Sequence, residues 1–134
     1  MEITYILDEI DVVAEKVLNF SKHKILLFYG DMGVGKTTLI KEIAIKVGVK
    51  ENLSSPSFSI INEHEVKEGK LFHIDFYRVK DENELFELGI EEFFESDDWC
   101  LIEWPDKAEK ILPEKFTKIV INTNKNNSRT INIC

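Results

Sequence analysis

Basic residues are the scarce ones in this chain. Lys and Arg total 17 against 25 Asp and Glu over 134 residues, a formal net charge of −8. A protein that grips nucleic acid unaided needs clustered Lys and Arg against the phosphates, so that class of function is disfavoured and a protein partner is favoured. The densest acidic stretch runs from Asp81-Glu82-Asn83-Glu84 through Glu91-Glu92 to Asp97-Asp98. It reads first as a solvated helix face and second as a docking face for a basic surface. Cysteine is limited to Cys100 and Cys134, with no C-x-x-C pair, which argues against a disulfide framework or a thiolate metal site. No apolar run approaches the roughly 18–20 residues of a membrane span. The amino end, Met1-Glu2-Ile3-Thr4, has neither the basic nor the apolar region of a secretion signal, so the expected location is the cytoplasm and no membrane is expected as a partner. Prolines are few, and repeats, linkers and low-complexity tracts are lacking. With 43% hydrophobic and 31% charged residues, the composition is that of one globular domain, 1–134, large enough to bury about two thirds of its unfolded surface.

The most informative segment is Gly30-Asp31-Met32-Gly33-Val34-Gly35-Lys36-Thr37, a G-x-x-x-x-G-K-T sequence. By composition it arises by chance in a chain of this length on the order of once in a few hundred sequences. It lies between an apolar run, Ile25 to Tyr29, and a stretch with helical period, Leu39, Ile40, Ile43, Ala44 and Val47. That order is what phosphate binding requires, because glycines let backbone N–H groups approach the phosphates and a helix N-terminus adds its positive dipole end. Lys36 is expected to neutralise β- and γ-phosphates and Thr37 to offer its hydroxyl to Mg²⁺. The chain is therefore expected to bind a nucleoside triphosphate.

Periodicity predicts the rest. Asp8 is the expected N-cap of a helix over 9–20, carried by Ile10, Val13, Ala14, Val17 and Leu18. A strand over 25–29 and a helix over 36–47 follow, stopped by Gly48. Extended segments 57–65 and 71–77 form an antiparallel hairpin around Val66 to Lys70. Helices near 82–88 and 90–95 lead to a continuous apolar run over 99–103, which suits a strand buried on both faces. Pro105 ends it. A short helix near 106–111 and strands near 117–122 and 129–133 complete the chain. The fold class is α/β: a single-domain P-loop NTPase with a mixed central sheet flanked by helices.

A phosphate loop needs an acid at the end of a neighbouring strand. Glu103, closing the buried run, is the better candidate for the central acid. Asp75 closes a run, Leu71 to Ile74, that reads as half exposed, and is assigned to the metal–water shell. The period of two puts His73, Asp75 and Tyr77 on one strand face. Ser54-Ser55-Pro56-Ser57-Phe58 lies where nucleotide-sensing loops occur, although taken alone it reads first as a plain serine–proline turn before a strand.

The phosphate loop together with Ser55-Pro56-Ser57-Phe58, His73-Ile74-Asp75-Phe76-Tyr77-Arg78, Glu84-Leu85 through Leu88-Gly89, and Cys100-Leu101-Ile102-Glu103-Trp104-Pro105 resembles the bacterial TsaE family over nearly the whole chain. The resemblance implies a small, slow, Mg²⁺-dependent P-loop ATPase required for threonylcarbamoyladenosine modification of tRNAs that read codons beginning with adenine. Its hydrolysis would regulate or reset a complex of TsaD and TsaB, with tRNA met only through that complex. Carried over by position, Gly33, Val34, Gly35, Lys36, Thr37 and Thr38 wrap the ATP phosphates, and Thr37 with Glu103 holds Mg²⁺. Asp75, Glu103 and Lys36 serve turnover, Trp104 adjoins the site, and Arg129 and the backbone around Asp8 lie near the nucleotide. Met32 and Val34 replace the commoner Leu and Ala, and Ser57 the commoner Thr. A GTPase is disfavoured because Asn124-Lys125-Asn126-Asn127 lacks the final acid of N-K-x-D. The rivals are a small-molecule kinase and a module for which ATP only orders a docking loop.

Overall fold

A computed structural model describes residues 1–50 and 60–134. Its strands are β1 (Glu2–Tyr5), β2 (Ile25–Tyr29), β3 (Ile61–Val66), β4 (Gly69–Asp75), β5 (Trp99–Glu103), β6 (Thr117–Thr123) and β7 (Arg129–Ile133). The α-helices are α1 (Ile10–Phe20), α2 (Lys36–Val47), α3 (Glu82–Glu87) and α4 (Ile90–Glu95), with 3-10 segments at Leu7–Glu9 and Pro105–Ile111. The strands form one mixed sheet in the order β1-β7-β6-β2-β5-β4-β3. β2 is central, parallel to β5 on one side and β6 on the other, and β4 is parallel to β5. Strands β1, β7 and β3 are joined antiparallel at the flanks.

Helices on both faces explain why the central strands are apolar throughout rather than alternating. On one face Val13, Ala14 and Val17 of α1 and Leu39, Ile40, Ile43 and Ala44 of α2 pack on Leu26, Phe28, Leu101, Ile119 and Ile121. On the other, Leu85 of α3 and Ile90 of α4 pack with Leu27, Phe72, Ile74, Cys100 and Ile102. Cys100 is buried and free, and burial pushes its thiol up to about 12. Cys134 is free and exposed. The C-terminal ends of the parallel strands β2, β5 and β4 share one edge, the side on which α/β sheets bind ligands.

The structure departs from the expectations at four places. β1 was not expected; it pairs with β7 from Glu2 opposite Asn132 to Tyr5 opposite Arg129, and Tyr5 enters the core. Asp8 is not a helix cap. It lies inside the 3-10 turn Leu7–Glu9, and the Glu9 carboxylate accepts from the Ile6 N–H at 3.0 Å. β4 starts at Gly69, directly after a two-residue turn, and ends at Asp75, so Tyr77 falls beyond the strand rather than on its face. Leu71, Phe72, His73 and Ile74 are all buried, because β3 takes the sheet edge and β4 becomes an inner strand. The first residues of the expected hairpin, 57–59, lie outside the described residues.

Candidate functional site

The phosphate loop leaves β2 through Gly30, where no side chain fits. A Cβ there would stand 2.8 Å from the Ile121 carbonyl oxygen of β6 and 2.8 Å from Val34 Cγ2. The loop ends at Gly35, whose φ of +101° is in the left-handed region and which serves as N-cap of α2. The Leu39 N–H donates to the Gly35 carbonyl at 3.1 Å, starting the helix and aiming its first free N–H groups at the loop. Arg129 braces the loop from β7. Its Nε donates to the Val34 carbonyl at 2.8 Å and its Nη1 to the Asn127 carbonyl at 3.0 Å.

Lys36 is buried at the first position of α2. Its Nζ donates to the Gly30 carbonyl at 2.5 Å and lies 3.4 Å from the centroid of the Trp104 ring. Burial pulls its amine below the ordinary lysine range, opposed by the carboxylates of Glu103, Asp106, Asp75 and Asp31. The ammonium is thus stored against a carbonyl and an aromatic face, one residue before Thr37.

The acids come from the neighbouring strands. Glu103 is in register with Phe28 of β2 and with Asp75 of β4, so the two carboxylates are cross-strand neighbours on the side of the sheet that carries α2. The Thr37 hydroxyl donates to Glu103 Oε1 at 3.1 Å. Glu103 Oε2 lies 2.8 Å from His73 Nε2. Asp75 is less buried than Glu103, and its Oδ1 accepts from the Tyr77 N–H at 2.9 Å. Burial raises the Asp75 carboxyl above its ordinary range, opposed by that N–H and reinforced by the charge of Glu103. Directly after Glu103 the chain bends at Trp104, at φ +57° and ψ +47°. The bend sets the Trp104 ring against Tyr77, centroids 5.1 Å apart, and over Lys36.

These groups converge on a cavity of about 370 Å³ lined by Met32, Gly33, Gly35, Lys36, Thr37, Thr38, Asp75, Tyr77, Glu103 and Trp104. A second cavity of about 400 Å³ lies across the loop, lined by Tyr5, Leu7, Ile10, Val34, Asn127 and Arg129, and the two share Gly33, Gly35 and Thr38. Of the residues expected at the site, Gly33, Gly35, Lys36, Thr37, Thr38, Asp75 and Glu103 meet in the first cavity. Val34 and Arg129 face the second. The Ser54–Phe58 segment lies outside the described residues. Leu7 and Ile10 line the second cavity from the segment around Asp8, whose backbone the resemblance put near the nucleotide; Tyr5 and Asn127 were not anticipated there, and β1 pairing with β7 brings the amino end to the loop. The His73–Glu103 contact was not anticipated; the period of two only put His73 on the strand face of Asp75.

Among the described residues no group of three His, Cys, Asp or Glu is arranged to hold a metal. One hydroxyl and one carboxylate nonetheless suit Mg²⁺, which keeps waters and phosphate oxygens among its ligands and takes only one or two from protein. No helix among the described residues is long and apolar enough to cross a membrane.

Residues 6–131 match the family model described as threonylcarbamoyl adenosine biosynthesis protein TsaE. A Haemophilus influenzae protein described as tRNA threonylcarbamoyladenosine biosynthesis protein TsaE is 36% identical over 118 residues, covering 82% of this chain and 75% of its own length. The Bacillus subtilis protein of the same description is 36% identical over 125 residues, 92% of this chain and 78% of that one. Among solved structures, the crystal structure of Bacillus subtilis YdiB matches with a TM-score of 0.75 and 30% identity, covering 98% of this chain and 82% of that chain. With the family model spanning most of the sequence and a solved fold matching nearly all of it, the chain belongs to the TsaE family of threonylcarbamoyladenosine biosynthesis proteins.

Proposed function

We propose that this chain is a Mg²⁺-dependent ATPase that serves tRNA threonylcarbamoyladenosine biosynthesis in the cytoplasm by regulating or resetting a TsaD–TsaB complex. The observation that carries the reading is the junction at the start of α2. Lys36 and Thr37 follow the glycine loop directly, and the Thr37 hydroxyl stands 3.1 Å from a buried carboxylate on the adjacent strand. The phosphates take the loop N–H groups and the cavity beside Lys36, and the half-apolar cavity across the loop takes the base. Thr37 and Glu103 would hold Mg²⁺, which would supply Lewis-acid neutralisation of phosphate oxygens.

The chain's own residues do the rest. Lys36 exchanges the Gly30 carbonyl for phosphate oxygens, trading a neutral acceptor for a charged one. Asp75, at the exposed side of Glu103, accepts a hydrogen bond from the attacking water and orients it. Trp104 and Tyr77 wall the site. The net charge of −8 leaves contact with tRNA to the partners.

Calorimetric titration with ATP and Mg²⁺ tests the binding half of this reading. Lys36→Ala removes a charge-assisted contact worth about 1.5–3 kcal/mol, so affinity is expected to fall about 10- to 150-fold. An unchanged Kd in that variant contradicts the assignment.

A further inference from the structure

Glu103 has two hydrogen-bonding neighbours at its two oxygens. Thr37 Oγ1 donates to Oε1 at 3.1 Å, and His73 Nε2 lies 2.8 Å from Oε2. A carboxylate only accepts, so the ring nitrogen facing it is the donor. His73 is fully buried within the sheet, in register with Leu101 of β5 on one side and Asn62 of β3 on the other. Its other nitrogen, Nδ1, is buried with no hydrogen-bond partner among the described residues. A buried polar atom left without a partner costs free energy, and an apolar residue of similar size would fill this inner-strand position without that cost. Among the described residues, the single polar contact the ring makes is with the carboxylate.

We propose that His73 is a positioning residue for the metal site: by donating Nε2–H to Glu103 Oε2 it fixes the carboxylate so that Oε1 is presented to Thr37 and to Mg²⁺. The inference rests on the reading of Thr37 and Glu103 as the Mg²⁺-binding pair. Without the His73 bond, Oε2 is a buried acceptor lacking a donor, and the carboxylate relieves this by turning about its terminal torsion, which is broad and weakly restrained. Turning takes Oε1 away from Thr37. Partners of this kind behind a metal ligand typically contribute about 10- to 100-fold in metal affinity.

The test is calorimetric titration of a non-hydrolysable ATP analogue at stepped Mg²⁺ concentrations, on wild type, His73→Leu, His73→Asn and His73→Gln, with urea unfolding of each. Gln carries its amide nitrogen about as far from the backbone as Nε2, whereas Asn carries it only as far as Nδ1 and falls short of Oε2. His73→Leu and His73→Asn are expected to raise the half-saturating Mg²⁺ at least tenfold while changing metal-free nucleotide affinity less than twofold. His73→Gln is expected to return to within about threefold of wild type. If the Leu variant does not fold, the Asn and Gln pair decides. Equal Mg²⁺ dependence in Asn, Gln and wild type overturns the proposal while leaving the nucleotide site intact. A wild type whose nucleotide binding shows no Mg²⁺ dependence removes the reading of the pair and this inference with it.

Discussion

Arg129 was expected near the nucleotide, yet its guanidinium is engaged with the protein: Nε on the Val34 carbonyl at 2.8 Å and Nη1 on the Asn127 carbonyl at 3.0 Å. The first bond ties the phosphate loop to β7 and the second closes the turn that precedes it, so the side chain is a brace before any ligand arrives. Arg129→Ala removes both bonds. Hydrogen bonds to charged groups are worth about 1.5–3 kcal/mol each when buried, but Arg129 is only partly buried and water replaces much of the loss, so about 1–2 kcal/mol in total is expected. With a urea m-value of about 2 kcal/mol/M, the midpoint of nucleotide-free unfolding moves down by about 0.5–1 M with m unchanged. Arg129→Lys recovers less than half of this, because a compact ammonium does not span two carbonyls as the planar fork does. A loop no longer held in its binding shape must be ordered by the ligand, which weakens ATP by about 1 kcal/mol, or about fivefold. The refuting result is an Arg129→Ala protein that unfolds like wild type without nucleotide and still loses ATP affinity; Arg129 would then act on the ligand and not on the loop.

Asp75→Asn keeps the acceptor for the Tyr77 N–H but removes the charge. The Asp75 carboxyl is raised above its ordinary 3.8, so the folded state holds its proton more tightly than the unfolded state, and the stability this confers is present below about 3.8 and lost as pH rises through the raised value. Asp75→Asn is therefore expected to be more stable than wild type at pH 7, with the difference shrinking as pH falls towards 4; urea midpoints across that range check it, and a difference that grows on acidification contradicts it. Two glycines, both at positive φ, separate strain alone from strain with collision. Gly35→Ala meets only Arg129 Nε, at an ordinary contact distance of 4.0 Å, and costs about 1–2 kcal/mol through its left-handed backbone. Gly30→Ala drives a methyl against a backbone oxygen at 2.8 Å and is expected to cost more, about 3 kcal/mol; equal unfolding midpoints for the two variants would refute the distinction.

The parts of the fold that a local pattern fixes were legible. Residues 25–29, 36–47 and 99–103 occupy the elements their apolar runs and helical period predict, because the two strands are buried for most of their length and the helix buries one face, and each pattern records that burial. β1 was not legible, since four residues at the amino end gain their hydrogen bonds from β7, more than a hundred residues away. The exposure of β4 was misread for a related reason: whether a strand is inner or edge depends on what pairs outside it, and β3 supplies that. At the site, the loop and both acids were visible as sequence because they lie at the ends of strongly patterned elements. The second cavity was legible only through the resemblance, which put Arg129 and the backbone around Asp8 near the nucleotide; Tyr5 and Asn127 reach it through sheet order. The bond from His73 to Glu103 was not legible, since it depends on the pairing of β4 with β5.

The central claim is that ATP turnover at this site is coupled to the tRNA-modifying complex. Its most direct test is steady-state ATP hydrolysis with and without TsaD, TsaB and tRNA, in wild type and in Glu103→Ala. The account predicts slow hydrolysis by the chain alone, stimulation by the complex, and loss of that stimulation in a Glu103→Ala protein that still binds ATP. Hydrolysis that the complex leaves unchanged, or that Glu103→Ala leaves intact, would contradict it.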